Sequence, residues 1–459
     1  MNQQAATTGS CDLLITGAYI YVDAGWEISS GWIAITDGRV AGVGANSEPA
    51  PTATETIDAG GRLVTPGLVN THHHMYQNLT RSFAPVVNAD LFTWLTQLYP
   101  IWSQIDDESV YLSTWVAMAE LLLGGCTLSS DHMYVHPHGE LIDAQVRAAG
   151  DLGFRFYANR GSMTRSVEDG GLPPVEVVQS RDEILADSER LIARYHDPAP
   201  GAMTRMALAP CSPFSVTSET MRDSAALAEK HDVRLHTHLA EDGDELTYCQ
   251  EVYGMTPVEY FDSVGWMQSR SWVAHFIYPS PDEEQRMAAA GVGVAHCPSS
   301  NMLIGGGSAD VQRLRGLGAP VGIGCDGSAS TDHGSLWLEA RAALTLARFR
   351  CGPTSMTARD VLDMATRGGA RCLGWEDETG HLTPGACADL VIWGGSELSL
   401  AGALTDPVEA WLRCGPMAAD TTVVAGRILV RDGQIQNSAL AEMLTAHRRE
   451  SARLQGVTA

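Results

Sequence analysis

Residues 66–74 read PGLVNTHHH, a short apolar run that ends in three adjacent histidines. Seven further runs of this kind follow, each ending in polar or metal-capable residues: GCTLSSDH (125–132), RFYANRGS (155–162), RMALAPCS (205–212), VRLHTHLAE (233–241), SWVAHFI (271–277), GVGVAHCPSSN (291–301) and APVGIGCDGS (319–328). Most precede segments of helical periodicity, such as TSETMRDSAALAEKHD (217–232). Eight strand-then-helix units predict an α/β fold, a (β/α)8 barrel with its active site at the carboxyl ends of the strands.

A doubly wound open sheet is the alternative α/β fold. It would be expected to carry a glycine-rich phosphate loop after its first strand, and PGLVNTHHH is not such a loop. The two ends of the chain differ from the middle, because they combine short β-like runs with the DG turns TDGRV and VVAGRILVRDGQI. We expect them to pair into one small β-sandwich, with two separate hairpins as the alternative. The expected organisation is a sandwich of residues 11–65 and 382–436, a barrel of residues 66–381, and a C-terminal helix or tail of residues 437–459.

Composition narrows the classes of partner. A formal net charge of -25 would repel a phosphate backbone or an anionic bilayer, so neither nucleic acid nor a membrane is expected as a partner. The ten cysteines form no CxxC pair, which is typical of reduced residues in a cytoplasmic protein. The sequence contains neither a secretory signal nor an apolar stretch of about 18 residues.

Strand alternation divides the three histidines. Alternate residues of a strand face the same side, so His72 and His74 are expected to point together into the barrel while His73 points outward. The HxH pattern alone is equally typical of a polar, solvated strand end. The metal-site interpretation is strengthened by metal-capable or titratable side chains near the ends of later runs. They are His236, His238, Glu241, His275, His296 and Asp326. Three imidazoles and a carboxylate suit Zn²⁺ or Fe²⁺ with one position left for water.

The order of these residues resembles the amidohydrolase superfamily, specifically its mononuclear branch of heterocycle deaminases and triazine hydrolases. HxH follows the first strand, HxxE the fifth, His the sixth and Asp the eighth, and the resemblance extends over nearly the whole chain. It implies four ligands for one divalent metal ion, zinc or iron: His72, His74, His238 and Asp326. It also implies that Glu241 is a proton shuttle, that His275 orients the attacking water, and that Asp326 takes part in proton transfer. His236 and His296 match no ligand position and are interpreted as structural.

Two other kinds of metal centre are excluded. Binuclear members of the superfamily use a lysine from the fourth strand, but the only lysine of this chain, Lys230, lies in a helix before the fifth strand. A different class of zinc deaminase uses H-x-E followed by PCxxC. His138 and Glu140 spell H-x-E, but SPF follows Cys211, so the second half of that signature fails. His136 and His138 are interpreted as loop residues.

Several long stretches resemble bacterial 8-oxoguanine deaminases: NTHHHMYQNLTRSFAPVVNADLFTWLTQLYP (70–100), RGSMTRSVEDGGLPP (160–174), ALAPCSPFSVT (207–217), HLAEDGDELTYC (238–249) and AHCPSSNM (295–302). This resemblance implies conversion of free 8-oxoguanine and water to urate and ammonia. A planar purine calls for aromatic walls and a few donors and acceptors. The candidate pocket residues are Gln77, Trp94, Tyr99, Arg160, Met163 and Cys211. A core position is an equal alternative for Trp94, Tyr99 and Met163.

The chain also departs from that pattern at Phe276, Thr331, His333 and Trp337, which could reshape the pocket. Three other functions therefore stay open: a guanine or isoxanthopterin deaminase, an s-triazine amino- or chlorohydrolase, and, more remotely, a non-catalytic scaffold with the same fold. Barrels of this family commonly associate, so the resemblance also allows a homo-oligomer.

Overall fold

The computed structural model describes residues 9–458. Residues 1–8 and Ala459, the last residue of the expected C-terminal tail, lie outside the described residues. Within residues 9–458, eight parallel strands close into a barrel. In chain order the barrel strands are Leu68–Asn70, Cys126–Met133, Arg155–Ser162, Thr204–Pro210, Arg234–Leu239, Ser271–His275, Gly293–His296 and Val321–Ile323.

The eighth strand closes the barrel against the first, where Ile323 pairs with Asn70. The (β/α)8 barrel predicted from the eight runs is therefore confirmed, and the open sheet is not formed. Beyond the closed part, His73–His74 and Asp326–Gly327 form a second short parallel pair. This pair extends the first and eighth strands past the rim and brings the histidine triplet beside Asp326.

Helices cover the outside of the barrel. The first strand is followed by a 3-10 turn, Met75–Thr80, and by helices Leu91–Trp102 and Asp107–Leu123. The later strands are followed in order by Leu141–Leu152; Arg181–Tyr195; Ser218–His231; Gly243–Tyr253 and Pro257–Ser263; Pro281–Ala289; Pro298–Leu303 and Val311–Gly316; and Leu336–Cys351, Ala358–Asp363 and Gly369–Leu373. Side-chain caps begin many of them, as where Asp106 accepts the N–H of Ser109 at 2.9 Å. In the described part of the chain, none of the helices has both the length and the apolar character needed to cross a membrane.

The two ends of the chain share one sheet. Leu63–Pro66 pairs antiparallel with Leu390–Gly394, so the alternative of two separate hairpins is not formed. The described sheet has nine strands: in order Gln434–Ile435, Arg427–Arg431, Ala418–Val424, Leu390–Gly394, Leu63–Pro66, Ser10–Asp23, Trp26–Thr36 and Arg39–Ala45, with Thr52–Asp58 added parallel to Ser10–Asp23. Residues from both ends fill its own apolar core, among them Ile15, Ile33, Val64 and Ile392. The exact domain boundaries stay a prediction.

A buried ion pair joins the sheet to the barrel. Arg155, the first residue of the third barrel strand, donates from Nε to Oδ2 of Asp389 at 2.8 Å, and both side chains are almost fully enclosed. Oδ1 of Asp389 accepts the backbone N–H of Ala425 at 2.7 Å. Because removing one partner would leave a buried charge unpaired, this contact is important for stability.

The C-terminal helix, Leu440–Gln455, packs on the 3-10 turn Met75–Thr80. Nε2 of His447 lies 2.8 Å from Oδ1 of Asn78, and Nε2 of Gln455 donates to the backbone oxygen of Leu79 at 2.7 Å. The last helix of the chain therefore supports the segment that follows the histidine triplet.

Candidate active site

Four side chains from three places in the sequence meet at the carboxyl end of the barrel. Nε2 of His74 lies 3.2 Å from Nε2 of His238, and Oδ1 of Asp326 lies 3.3 Å from Nε2 of His72 and 3.4 Å from Nε2 of His74. All four residues are buried. The structure thus brings together every residue that the sequence nominated as a metal ligand, and their role as ligands stays a prediction.

Backbone carbonyls fix the tautomers of two of these histidines. His74 donates from Nδ1 to the backbone oxygen of His132, and His238 donates from Nδ1 to that of Cys211, each at 2.7 Å. We therefore assign both protons to Nδ1, which leaves an Nε2 lone pair on each ring. Burial lowers the pKa of both imidazoles, so both are neutral at physiological pH.

His72 is oriented by another histidine. Its Nδ1 lies 2.8 Å from Nε2 of His236, and Nδ1 of His236 lies 3.0 Å from the backbone oxygen of Trp272. A carbonyl oxygen only accepts, so His236 donates to Trp272 and accepts from His72. The remaining Nε2 of His72 is buried and has no hydrogen-bond partner in the described part of the chain. His236, interpreted from the sequence as structural, therefore sets the orientation of a candidate ligand.

The donor set fits a divalent metal ion. Two bare Nε2 lone pairs facing each other at 3.2 Å repel unless a cation lies between them. A tetrahedral zinc ion bound about 2.0–2.1 Å from each nitrogen would separate two ligand nitrogens by roughly 3.3 Å. Neutral imidazoles and a carboxylate are also the donors that zinc prefers. The arrangement is that of a metal site in which each histidine is held by an outer partner.

Glu241 and His275 lie beside these ligands. Oε1 of Glu241 is 3.4 Å from Nε2 of His275, and Nδ1 of His275 is 2.8 Å from Oδ1 of Asn301. Burial raises the pKa of Glu241 to about 7, although the charge of His275 opposes it. Burial alone would lower the pKa of His275, but the carboxylates of Glu241 and Asp326 raise it. Two buried titratable groups therefore lie side by side, and each raises or lowers the pKa of the other through its charge.

The loops that carry these groups leave their strands through left-handed backbone. Ala240, His275, Phe276 and Asp326 have φ values of 52°, 70°, 52° and 57°. Such conformations are unfavourable for residues other than glycine and persist where surrounding contacts impose them. One such contact comes from Glu245, whose carboxylate accepts the backbone N–H of Ala240 at 2.9 Å and of Glu241 at 2.8 Å.

A cavity opens over the ligands. Four nominated pocket residues line it, namely Gln77, Trp94, Tyr99 and Cys211; the other lining residues are His74, Leu91, Leu95, Tyr134, Phe214, His238, Glu241, His275, Ser300, Ile304, Asp326 and Ser330. Oε1 of Gln77 has no hydrogen-bond partner within residues 9–458, and a Cβ added at Gly327 would lie only 1.6 Å from it. The absence of a side chain at Gly327 therefore makes room for the Gln77 amide.

The structure does not bring Arg160 or Met163 to this cavity. Arg160 points away from the barrel interior toward helix Arg181–Tyr195, where its Nε donates to Oδ2 of Asp187 at 2.7 Å. Met163 is buried in the apolar core. The expectation that Arg160 and Met163 line the pocket is therefore corrected. The Arg160 guanidinium forms an ion pair in the helix layer, and the Met163 side chain packs in the apolar core.

Phe276, Thr331, His333 and Trp337, the positions expected to reshape the pocket, are not among the lining residues of this cavity. Phe276 is a core residue, and Trp337 donates from Nε1 to the backbone oxygen of Trp411. Thr331 donates to the backbone oxygen of Gly327 at 3.1 Å. Nε2 of His333 lies 3.3 Å from Oε1 of the buried Glu339 carboxyl group.

His132 at the end of the second strand was not nominated from the sequence. It donates from Nε2 to the backbone oxygen of Ala209 at 2.7 Å, and its ring stacks on that of His238 with centroids 4.8 Å apart. Its donor atom falls within one potential metal-binding group with those of His72, His74 and His238. In the sequence, a role for His132 is indicated only by its place as the last residue of the apolar run GCTLSSDH. His73, by contrast, is buried outside both potential metal-binding groups, as strand alternation implied.

A closed barrel with neutral imidazoles and a carboxylate converging at its strand ends defines a class of protein, the metal-dependent barrel hydrolases. Comparison with known proteins gives the particular family. The amidohydrolase family matches residues 63–429. The chain belongs to this family.

Individual relatives match almost end to end. An 8-oxoguanine deaminase of Pseudomonas aeruginosa is 48% identical over 429 residues, which cover 93% of this chain and 95% of the relative. A hydroxydechloroatrazine ethylaminohydrolase of Pseudomonas sp. (strain ADP) is 35% identical over 90% of this chain and 88% of the relative. Among solved structures, an atrazine chlorohydrolase of Arthrobacter aurescens complexed with zinc superposes with a TM-score of 0.88 at 31% identity, covering 96% of this chain and 100% of that one.

Proposed function

We propose that the protein is a metal-dependent aminohydrolase that converts 8-oxoguanine and water to urate and ammonia. The observation that carries the proposal is the convergence of His72, His74, His238 and Asp326 beside Glu241 and His275. The His74–His238, His72–Asp326 and His74–Asp326 donor atoms lie 3.2, 3.3 and 3.4 Å apart. The identity of 48% to an 8-oxoguanine deaminase, over nearly the full length of both chains, supports the choice of substrate.

The ligands of the ion are His72, His74, His238 and Asp326, and we propose one zinc ion per chain, with iron as the alternative. The spacing of the donors and the zinc bound in a structural relative support this choice. When bound, the ion supplies a nucleophilic hydroxide at neutral pH. His132 and His236 serve as partners of the ligand histidines rather than as ligands.

The side chains divide the proton transfers between them. Glu241 takes a proton from the attacking water and delivers it to the ring nitrogen next to the amino-bearing carbon, which makes that carbon electrophilic. Addition of water forms the new C–O bond, and the electron pair of the C=N bond moves to that nitrogen. Asp326 accepts the second water proton and returns it to the amino group, so the C–N bond breaks with release of ammonia and leaves a carbonyl. His275 holds the water through Nε2, because Asn301 engages its Nδ1.

The cavity favours a neutral, free base. Its described lining contains no arginine or lysine that would hold a phosphate or carboxylate. Leu91, Leu95, Phe214 and Ile304 supply apolar wall, where the hydroxyls of a ribose would lack partners. Trp94 and Tyr99 provide aromatic surface for a planar ring, and the unpartnered Oε1 of Gln77 accepts a ring N–H.

The first test is chemical. Purified protein should contain about one metal ion per chain and release ammonia from 8-oxoguanine. Glu241→Gln should abolish ammonia release while metal content is unchanged, because it removes the proton shuttle and no ligand. Glu251→Gln, an exposed change on the following helix, is the matched control and should keep full activity. Retention of wild-type activity in Glu241→Gln would reject the mechanism.

A substrate panel tests the specificity. Values of kcat/KM on 8-oxoguanine, its nucleoside, guanine, isoxanthopterin and aminated or chlorinated s-triazines separate the alternatives, because the mechanism is common to all of them. The free base should exceed its nucleoside and the other rings. A higher kcat/KM on a triazine or on isoxanthopterin would replace the proposed substrate. Metal-free protein that is inactive on every ring would revive the non-catalytic scaffold.

We further propose that the enzyme works in the cytoplasm in purine catabolism and binds neither nucleic acid nor membranes. Its acidic composition supports this, since it disfavours anionic surfaces. Light scattering of the purified protein decides between a monomer and the homo-oligomer that the family resemblance allows.

A further inference from the structure

A second cavity lies at the amino ends of the barrel strands, opposite the active site. We call it the lower cavity; its volume is about 480 Å³, and it is open to solvent. Three arginines line it, and each stands at or next to the start of one of three successive strands: Arg205, Arg234 and Arg270. Such a concentration of guanidinium groups is notable in a chain with a net charge of -25.

Two of these arginines are paired with carboxylates. Nη2 of Arg205 lies 2.6 Å from Oε1 of Glu378, and Nη1 of Arg270 lies 3.2 Å from Oδ1 of the exposed Asp232. Arg234 has no ion-pair partner within residues 9–458; its Nη2 donates to the backbone oxygen of Ser269 at 3.0 Å. The lining therefore holds three guanidinium groups against two carboxylates, and the excess positive charge lies on Arg234.

The lower cavity also has unused donors. The Nε–H groups of Arg205 and Arg234 are buried and have no acceptor among the described residues. His196 accepts the backbone N–H of Met206 through Nδ1 at 3.1 Å, which leaves its Nε2–H as a further donor. Burial lowers the pKa of the Arg234 guanidinium, as expected where compensating negative charge is short. A cluster of donors with an unpaired guanidinium matches the geometry of an oxyanion, which guanidinium groups bind through parallel N–H···O bonds.

We propose that the lower cavity binds a small oxyanion, such as a phosphate or carboxylate group, with Arg234 as its principal ligand. The neighbouring Glu378 and Asp232 restrict the ligand to a small one, since a larger anion would approach their charges. This site is independent of the deaminase reaction, because it lies at the other end of the barrel and shares no lining residue with the active-site cavity.

Calorimetric titration of the metal-loaded enzyme with inorganic phosphate, at constant ionic strength against chloride, tests the proposal. Saturable binding is expected, and Arg234→Met should weaken it by about tenfold or more, as loss of a charge-assisted pair predicts. Arg315→Met is the matched control, because Arg315 is paired with Asp360 and Asp363 in a separate cavity, and it should bind as the wild type does. A parallel titration with acetate separates a phosphate-selective site from a general carboxylate site.

If phosphate binds at the metal centre instead, Arg234→Met will bind it with wild-type affinity, and that result would overturn the proposal. Lack of saturable binding of either anion to the wild type would overturn it as well. If the methionine variant does not fold, Arg234→Gln removes the same charge with a smaller polar side chain. Its expected loss of phosphate affinity is the same.

Discussion

Replacing His236 with leucine should weaken metal binding without removing a ligand. His236 donates to the backbone oxygen of Trp272 and accepts the Nδ1–H of His72 at 2.8 Å. Leucine fills similar space but offers no acceptor. The proton of His72 would then move to Nε2, where Oδ1 of Asp326 lies 3.3 Å away, and would occupy the nitrogen that should face the ion.

The magnitude follows from burial. Binding of the ion to the variant returns the proton to Nδ1 of His72, where no acceptor remains, and His72 and His236 both have 0% exposure, so bulk water does not replace the lost partner. A buried donor left without an acceptor costs about 1–3 kcal/mol. This corresponds to roughly 5- to 150-fold in the dissociation constant of the metal. Outer partners of metal ligands commonly affect affinity by about 10- to 100-fold, which is within the same range.

Competition with a chelator of known zinc affinity measures this constant. His236→Gln should recover part of the affinity, because its amide can donate to Trp272 and accept from His72. His296→Leu, a change at another buried strand-end histidine that lies outside both potential metal-binding groups, should bind zinc as the wild type does. Affinity of His236→Leu within about twofold of wild type, or of His236→Gln no better than the leucine variant, would refute the assigned hydrogen-bond chain.

Three further predictions concern other parts of the molecule. Asp389→Ala leaves Arg155 buried without its carboxylate and should lower the free energy of unfolding by about 3–5 kcal/mol in urea titrations; a loss below about 1 kcal/mol would contradict the role of this pair. Gly327→Ala places a Cβ against Oε1 of Gln77 and should raise KM about tenfold or more at unchanged metal content, and an unchanged KM would show that Gln77 does not bind substrate. Burial raises the pKa of Glu339 to about 8, so folded protein holds a proton that unfolded protein releases from about pH 4.3 upward. The free energy of unfolding should therefore fall as pH rises from about 5 to about 8, by at most ~1.4 kcal/mol per pH unit, and Glu339→Gln should remove this contribution. Equal pH dependence of the unfolding free energy in the wild type and in Glu339→Gln would contradict it.

The fold could be predicted because local patterns repeat along the chain. Eight apolar runs with chemistry at their ends indicate a parallel barrel, and a parallel barrel brings all those ends to one rim. Within PGLVNTHHH, alternation was enough to separate His73 from His72 and His74. The pairing of the two chain ends also followed from their shared β-like pattern, although the sequence left hairpins open.

The parts of the site that could not be predicted depend on contacts across the barrel. The strands Cys126–Met133 and Arg155–Ser162 are buried on both faces, so no polar and apolar alternation indicates which side chains point inward. For that reason the sequence does not indicate that His132 points toward the histidine cluster, nor that Arg160 points outward and away from the pocket. The role of His236 depends on its contact with His72, 164 positions away in the chain, which no local pattern encodes.

The strand Leu63–Pro66 has its partner, Leu390–Gly394, more than 300 residues later in the chain. At about 5–20 residues per second, a ribosome needs roughly 15–65 s to make the intervening segment. Throughout that time the early strands present an unpaired edge, the kind of surface at which nascent chains associate with one another. Production of this protein in a host cell should therefore depend on chaperones that shield the early strands until translation reaches the final quarter of the chain.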